Sequence, residues 1–508
     1  MAGAIIIFGM LLSSCATSLP KHYDATPSVA YANPQDTDLG RIIQPDLARH
    51  PAQTGVRLLS GGQESFEARL DLTDLSEKTL DLQYYRWAVE TSGIVLAEKV
   101  MRAADRGVRV RILIDDVNTA DSDYKFARMD LHPNIEIRLF NPFRRRGFRL
   151  FDFVVDLNRV NHRMHNKAFI ADNAVAVIGG RNIGDEYFDV DPVANFRDLD
   201  VALIGPVVRE VSKSFDEFWN SEWALPINAI LKEDMSAAEF AERQDELYQW
   251  VATISEGPYV IKRSREEILR EYRERRKDYI WAPARIIYDT PFKIDSKYDK
   301  VAGGLRAYAP DDELIMEAAY LIVGQSGLET IRRYRADGIR IRILTNSLAT
   351  NDVAAAHAGY ANYRKEMIRR GVELFELRPN NRRKKKWRLL SMRSRASLHT
   401  KVFVVDRQTV VIGSYNTDPR SRNLNTEIVV VIDSDELAAE VMDYMDTGIT
   451  PEASYRLTLE PGDKGFERLV WTTREAGRPV RYYSEPEVGF WQRFNAWFIS
   501  LFPIEKHL

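Results

Sequence analysis

The sequence predicts an α/β protein of two related domains, each a β-sheet flanked by helices, with the pair related by pseudo-twofold symmetry. Three observations lead there. At 508 residues, with 45% apolar and 29% charged content, the chain exceeds the roughly 250–300 residues at which a single hydrophobic core stops growing. A β-branched run, Gly107-Val-Arg-Val-Arg-Ile-Leu-Ile-Asp115, returns 231 positions later as Gly338-Ile-Arg-Ile-Arg-Ile-Leu-Thr-Asn346. A second pair, His165-Asn-Lys-Ala-Phe-Ile-Ala-Asp172 and His399-Thr-Lys-Val-Phe-Val-Val-Asp406, stands at an offset of 234. Two matches at nearly one offset mark a duplicated domain.

In the first half the patterning reads as a helix over 65–75, a strand around 80–85, a helix over 93–106 and a strand over 107–115, from alternation and apolar spacing. The expected organisation is a signal segment over 1–15, an extended tether over 16–55, a first domain over 56–205, a helical connector over 206–305, a second domain over 306–450, and C-terminal strands with an aromatic amphipathic segment over 451–508. The tether is rich in Pro, Asp and Thr without a sustained apolar period. The connector contains a stretch of alternating acids and bases, Arg263 to Lys277, as a solvated helix would.

Composition excludes several classes. Lys plus Arg total 71 against 74 Asp plus Glu, a net charge of -3, so whole-molecule attraction to nucleic acid is not indicated and no nucleic-acid partner is expected. Cys15 is the only cysteine, which rules out an internal disulfide framework and a cysteine metal cluster. It follows a short apolar run, Ala4 to Leu12, far below the roughly 20 residues a spanning helix needs. The order Leu12-Ser-Ser-Cys15 resembles a bacterial lipobox, in which the signal is cut before a cysteine that then carries lipid. That resemblance implies a membrane-associated protein of the bacterial cell envelope, on its periplasmic side.

In each repeat the histidine and lysine are two apart in a strand-like run, so both side chains leave one face. Each run leads on to a small-residue corner, Gly179-Gly-Arg-Asn182 or Gly413-Ser-Tyr-Asn416, where backbone and amide donors can approach an anion closely. The full pattern, H-x-K-x4-D followed seven residues later by G-[GS]-x-N and present twice, resembles the phospholipase D superfamily, over nearly all of Leu58 to Leu508. Asp81-Leu-Gln-Tyr-Tyr85, Gly180-Arg-Asn-Ile-Gly-Asp-Glu186, Thr345-Asn-Ser-Leu348 and Leu501-Phe-Pro-Ile-Glu505 resemble the bacterial cardiolipin synthase C type more narrowly.

The resemblance implies two phospholipase D-like domains sharing one active site and no metal or other cofactor. A phosphodiester anion repels nucleophiles, so catalysis needs fixed positive charge, an uncharged nucleophile and a proton for the leaving oxygen. Two His-Lys pairs supply all three. By resemblance His165 is the nucleophile and His399 the general acid and base, while the near-symmetry of the halves leaves the reverse assignment open. Lys167, Lys401, Asn182, Asn416 and Ser414 are expected to hold the nonbridging oxygens, with Gly180 standing where Ser414 stands in the other half. Glu427 and Asp198 are the expected carboxylates that fix the imidazole tautomers. Asp172 and Asp406 complete the family motif and are counted with its catalytic residues, although their place at the strand ends favours a turn or ion-pair role.

The basic loops Arg144, Arg145, Arg146 and Arg149, and Arg382 to Lys386 with Arg388, are expected to form a phosphate-attracting surface at the mouth, beside Phe143, Phe148, Trp387 and Leu389. The stripe Trp491, Phe494, Trp497, Phe498 and Leu501 reads either as core packing or as an in-plane membrane helix. His357 is a further candidate by resemblance, with a structural helix histidine as the plainer reading. The implied reaction is transfer of a phosphatidyl group to phosphatidylglycerol, forming cardiolipin, with phosphatidylethanolamine as a possible further substrate and the membrane surface as partner. Hydrolysis to phosphatidic acid, a nuclease and an inactive membrane-bound scaffold are the alternatives. The scaffold should have lost a motif residue, and none of the two His-Lys pairs is missing.

Overall fold

The computed structural model describes residues 19–20, 23–144, 146, 149–254, 263–294, 300–379, 396–462 and 465–500. Cys15, Arg145, Phe148, the second basic loop and Leu501 to Glu505 lie outside the described residues.

Two large sheets form the centre. In the first, the strands run in the spatial order Ile280–Ala282, Thr54–Leu59, Asp200–Ile204, Val175–Gly179, Ala168–Ala171, Thr79–Tyr84, Arg109–Asp115, Ile135–Phe140 and Ala224–Pro226. In the second the order is Ala284–Tyr288, Ile428–Asp433, Thr409–Gly413, Lys401–Val405, Glu313–Ala318, Arg340–Asn346, Glu373–Leu377, Ser454–Pro461, Glu467–Glu475 and Arg478–Tyr482. Strand for strand, Asp200–Ile204 through Ile135–Phe140 repeats as Ile428–Asp433 through Glu373–Leu377. The senses match as well, two antiparallel hairpin pairings, one antiparallel junction and then two parallel steps. The duplication seen in the sequence is therefore a duplication of topology.

Where both faces are covered, as at Ala168–Ala171, Val175–Gly179 and Ile428–Asp433, the strands are almost continuously apolar. Alternation divides the work. Phe169, Ala171, Val175 and Val177 pack on the helix side of the first sheet. Ala168, Ile170, Ala176 and Ile178 turn the other way and share one core with Val402, Val404, Val410 and Ile412 of the second sheet. Each such Val or Ile contributes about 1.5–3 kcal/mol when fully buried, so the two halves are joined by a true core.

The hairpins on which the motif sits close through left-handed residues, Asp172 and Asn173 at φ 53° and 51°, and Asp406 and Arg407 at φ 52° and 56°. Asp and Asn tolerate this region better than most side chains.

Two parts of the expected organisation are corrected. The tether is not extended throughout, because Asp38–Arg49 is a helix that buries Leu39, Ile42 and Ile43, with the Thr37 hydroxyl capping its start at Gly40 N–H. Pro45 lies inside this helix and broke up the sequence signal. Before it, the carbonyls of Thr26, Ser28 and Val29 accept hydrogen bonds from Arg138, Arg111 and Arg109, which strap the segment to the first domain. Nor is the connector purely helical. Ile280–Ala282 pairs with Thr54–Val56 in the first sheet, and after Pro283 the strand Ala284–Tyr288 pairs with Ile428–Ile432 in the second.

Candidate active site

Each half lends the other a strand segment. Met164 bridges in parallel to Thr426, and Ala396–Leu398 pairs in parallel with Asn195–Arg197. His165 N–H donates to the Thr426 carbonyl at 2.9 Å, and His399 N–H to the Arg197 carbonyl at 2.8 Å. One residue further along each pairing stands a carboxylate. His165 Nδ1 is 2.9 Å from Glu427 Oε2, and His399 Nδ1 is 2.6 Å from Asp198 Oδ2. Both carboxylates are fully buried. The histidine of each half is thus oriented through Nδ1 by an acid of the other, and Lys401 Nζ lies 3.4 Å from His399 Nε2.

Lys167 Nζ donates to the His165 carbonyl at 2.7 Å and Lys401 Nζ to the His399 carbonyl at 2.6 Å. The two corners behind the histidines differ in one compensating pair. In the second half the Ser414 hydroxyl donates to Glu427 Oε2, and Ser421 donates to Oε1 at 2.7 Å. In the first half a Cβ on Gly180 would fall 2.2 Å from Asp198 Oδ1. The carboxylate occupies the space a serine would need, so the glycine is required by close approach.

Both histidines open on one cavity of about 660 Å³, lined also by Asn182, Asn416, Tyr85, Arg86, Tyr187, Phe196, Tyr320, Asp352, Asp418 and Arg420. Tyr85 stands edge-on to His165 at 5.0 Å, Tyr187 edge-on to His399 at 5.1 Å, and Phe196 stacks on His399 at 5.4 Å. Asn182 is held from both ends, accepting from Arg86 N–H at 3.3 Å and donating to the Tyr187 hydroxyl at 3.0 Å. Asn416 Oδ1 is buried without a hydrogen-bond partner.

Burial, with Lys167 and Lys401 nearby, holds the His165 imidazole well below its usual range. Burial and Lys401 likewise lower His399 to about 4, against the opposing pull of Asp198. Both rings are therefore neutral near pH 7, as a nucleophile must be. The acids differ. Burial works to raise Asp198, yet His399, Lys401 and Arg181 hold it below the usual carboxylate range. Burial prevails at Glu427 and raises it, despite Lys167 and the two serines. Burial also lowers Lys167 to about 7.

The family model described as cardiolipin synthase, phospholipase D-like domain, matches residues 70–219 and 309–448. The chain is 37% identical over 479 residues to cardiolipin synthase C of Escherichia coli K12, covering 92% of this chain and 99% of that one. The chain belongs to the cardiolipin synthase family of phospholipase D-like proteins. A Helicobacter pylori protein is 30% identical over 494 residues, 96% of this chain and 94% of its own. Among solved structures, phosphatidylserine synthase of Haemophilus influenzae shares the fold, with a TM-score of 0.53 at 13% identity over 83% of this chain and 92% of that one.

Within this family motif the two aspartates stand apart from the cavity. Asp172 accepts backbone N–H bonds from Glu77, Lys78 and Thr79 at 2.7–3.2 Å. Asp406 does the same for Asp311, Asp312 and Glu313 at 2.8–2.9 Å. They staple a hairpin turn to the start of the neighbouring strand, at the end of the strand remote from the histidine. Counting them as catalytic is corrected on that ground.

The expectation of a free basic mouth is corrected where the structure describes it. Arg146 pairs with Asp116 and Asp123, and Arg149 with the same two acids. Phe143 is buried beneath Arg149 and Arg163 instead of facing lipid. His357 is buried, 3.6 Å from Glu485, and is not among the residues lining the cavity.

Sequence reasoning missed Ser421, Asp289 and Lys293, which build the floor under Glu427. Asp289 Oδ2 accepts Glu427 N–H at 3.0 Å and Lys293 Nζ at 2.8 Å. Asp289 and Lys293 come from the connector, where no repeat exists to draw attention to them. Asp418-Pro-Arg-Ser421, by contrast, is a legible helix start, with Asp418 capping Ser421 N–H at 2.7 Å.

Proposed function

We propose that this chain is a phosphatidyltransferase that forms cardiolipin by moving a phosphatidyl group onto phosphatidylglycerol through a phosphohistidine. The observation that carries the reading is the pair of neutral, carboxylate-oriented histidines on one cavity. His165 Nε2 attacks phosphorus while His399, neutral in the free site and protonated once the phosphodiester anion is bound, gives its Nε2 proton to the departing headgroup oxygen. The acceptor hydroxyl then loses its proton to His399 and displaces His165, returning both rings to their starting state.

The electrostatics support that order of roles. An acid and base must become an imidazolium, and Asp198, held ionised, stabilises one at His399 better than the raised Glu427 does at His165. The bound phosphodiester anion adds the negative charge that favours the protonated ring. Lys167, Lys401 and Asn416 serve the nonbridging oxygens, and Asn182 joins them through its carboxamide.

The protein is further read as an envelope protein held through lipid on Cys15, a reading supported by the lipobox-like order Leu12-Ser-Ser-Cys15. Replacing Cys15 with Ser is expected to block processing and release the chain from membranes; unaltered attachment contradicts the anchor.

Product analysis tests the activity. Vesicles of phosphatidylglycerol alone, then with phosphatidylethanolamine, are expected to give cardiolipin and a released headgroup alcohol. Phosphatidic acid as the sole product would make the protein a hydrolase on the same site, and cleavage of nucleic acid without lipid turnover would overturn the lipid reading.

A further inference from the structure

The C-terminal helix is built inside out. Phe490–Ser500 lies against the helix Ala354–Arg369, and it turns no aromatic ring inward. Ala496 is buried, with Asn495 and Ile499 half-buried. Its largest side chains point away, with Trp491 and Phe490 76% and 70% exposed and Phe494, Trp497 and Phe498 exposed as well. The rings stack along the outer surface, Phe490 on Phe494 at 6.3 Å and Phe494 on Phe498 at 6.2 Å. A helix made only for the core of this protein would bury such rings, which each remove about 150–250 Å² from water. Of the two readings of this stripe, the exposure of its described rings, Trp491 and Phe494 foremost, argues against core packing.

Two further facts indicate what covers it. Residues 490–500 include no acid and one base, Arg493, whose guanidinium donates to the Glu485 carbonyl at 2.7 Å, so nothing on the helix repels an anionic surface. The helix beneath it begins at the cavity, where Val353 and Ala356 form part of the lining. The C-terminal helix is tied to that end, because Glu485, whose carbonyl Arg493 holds, stands 3.6 Å from His357, the neighbour of Ala356.

We infer that Phe490–Ser500 is a docking helix whose rings enter the boundary between headgroups and acyl chains of an anionic phospholipid bilayer. Trp and Phe suit that boundary, and an in-plane helix packed on the element that starts the cavity wall would hold the site close to its lipid substrate. The inference rests on reading the chain as a phospholipid enzyme, and the test separates the two.

The full chain carrying Cys15→Ser, so that no covalent anchor contributes, is mixed with vesicles of phosphatidylglycerol and phosphatidylethanolamine and sedimented. Trp491→Ser with Phe494→Ser is expected to weaken partitioning by about tenfold and to slow turnover of vesicle lipid in parallel. Turnover of a short-chain, monomeric phosphatidylglycerol is expected to stay unchanged, which also shows that the variant is folded. Trp491→Phe is expected to keep vesicle binding. Unchanged partitioning in the double variant overturns the inference, as does a parent dimer that the substitutions dissociate while vesicle binding persists. Loss of vesicle binding in a chain that turns over no lipid would leave docking standing and remove the enzymatic reading.

Discussion

Glu427 Oε2 lies 2.9 Å from His165 Nδ1 although the two residues belong to opposite halves of the chain, and Asp198 repays the arrangement at His399 with 2.6 Å. The active site is therefore complete only when both domains are docked. The exchange follows from backbone pairing: Thr426 and Arg197 accept the histidine N–H groups, and the next residue in each pairing is the acid.

Removing either acid's charge leaves the ring in place but free to take the wrong tautomer. Asp198→Asn and Glu427→Gln are each expected to lower kcat by roughly 10³-fold while the protein stays folded. Rates on phosphatidylglycerol vesicles, with circular dichroism as the control, check this; losses of only a few-fold would mean the carboxylates do not orient the rings.

Gly180 and Asp198 compete for one space. Gly180→Ala puts a Cβ 2.2 Å from Asp198 Oδ1 and is expected to cost about 1–3 kcal/mol, seen as a lower Tm, with turnover falling further than the stability loss explains. Ser414→Ala removes one donor to Glu427 without a clash, so its effect on rate is expected to be the smaller of the two.

The motif aspartates act on stability. Each carboxylate serves three backbone N–H groups, so Asp172→Ala or Asp406→Ala is expected to cost about 1–3 kcal/mol. Thermal melts should show it, while kcat per folded molecule remains close to that of the parent. Asn at either place keeps both the left-handed turn and an acceptor oxygen, and is expected to recover part of the loss.

Lys167 sets an alkaline limb. Burial lowers it to about 7, so its charge, present below that pH, is lost as pH rises through it, and kcat/KM is expected to fall there. Lys167→Arg keeps the charge across this range. A pH profile in which the limb persists unmoved in the arginine variant would assign it to another group.

Much of this was legible because the chain states it twice. The duplicated strand and the duplicated His-x-Lys run predicted the domain number, the symmetry and the two histidines, and the small-residue corners with the family resemblance pointed to Asn182 and Asn416. What was not legible depends on contacts between segments far apart in sequence. Nothing in the run around Glu427 tells that it serves His165 instead of His399. Asp289 and Lys293 sit in an unrepeated connector, and Arg146 and Arg149 read as a free basic patch until Asp116 and Asp123 fold against them. The helix Asp38–Arg49 was hidden by Pro45, and the aromatic helix had the right period while its facing could not be known without the rest of the fold.

The most direct test of the two-histidine mechanism is to trap the intermediate. With a phosphatidyl donor bearing an activated leaving group, which needs no acid, His399→Ala is expected to accumulate slowly an acid-labile phosphatidyl adduct on His165, and His165→Ala to accumulate none. An adduct on His399 in the His165→Ala protein would contradict the assigned roles, and the absence of any acid-labile phosphoryl-histidine in every variant would contradict covalent catalysis itself.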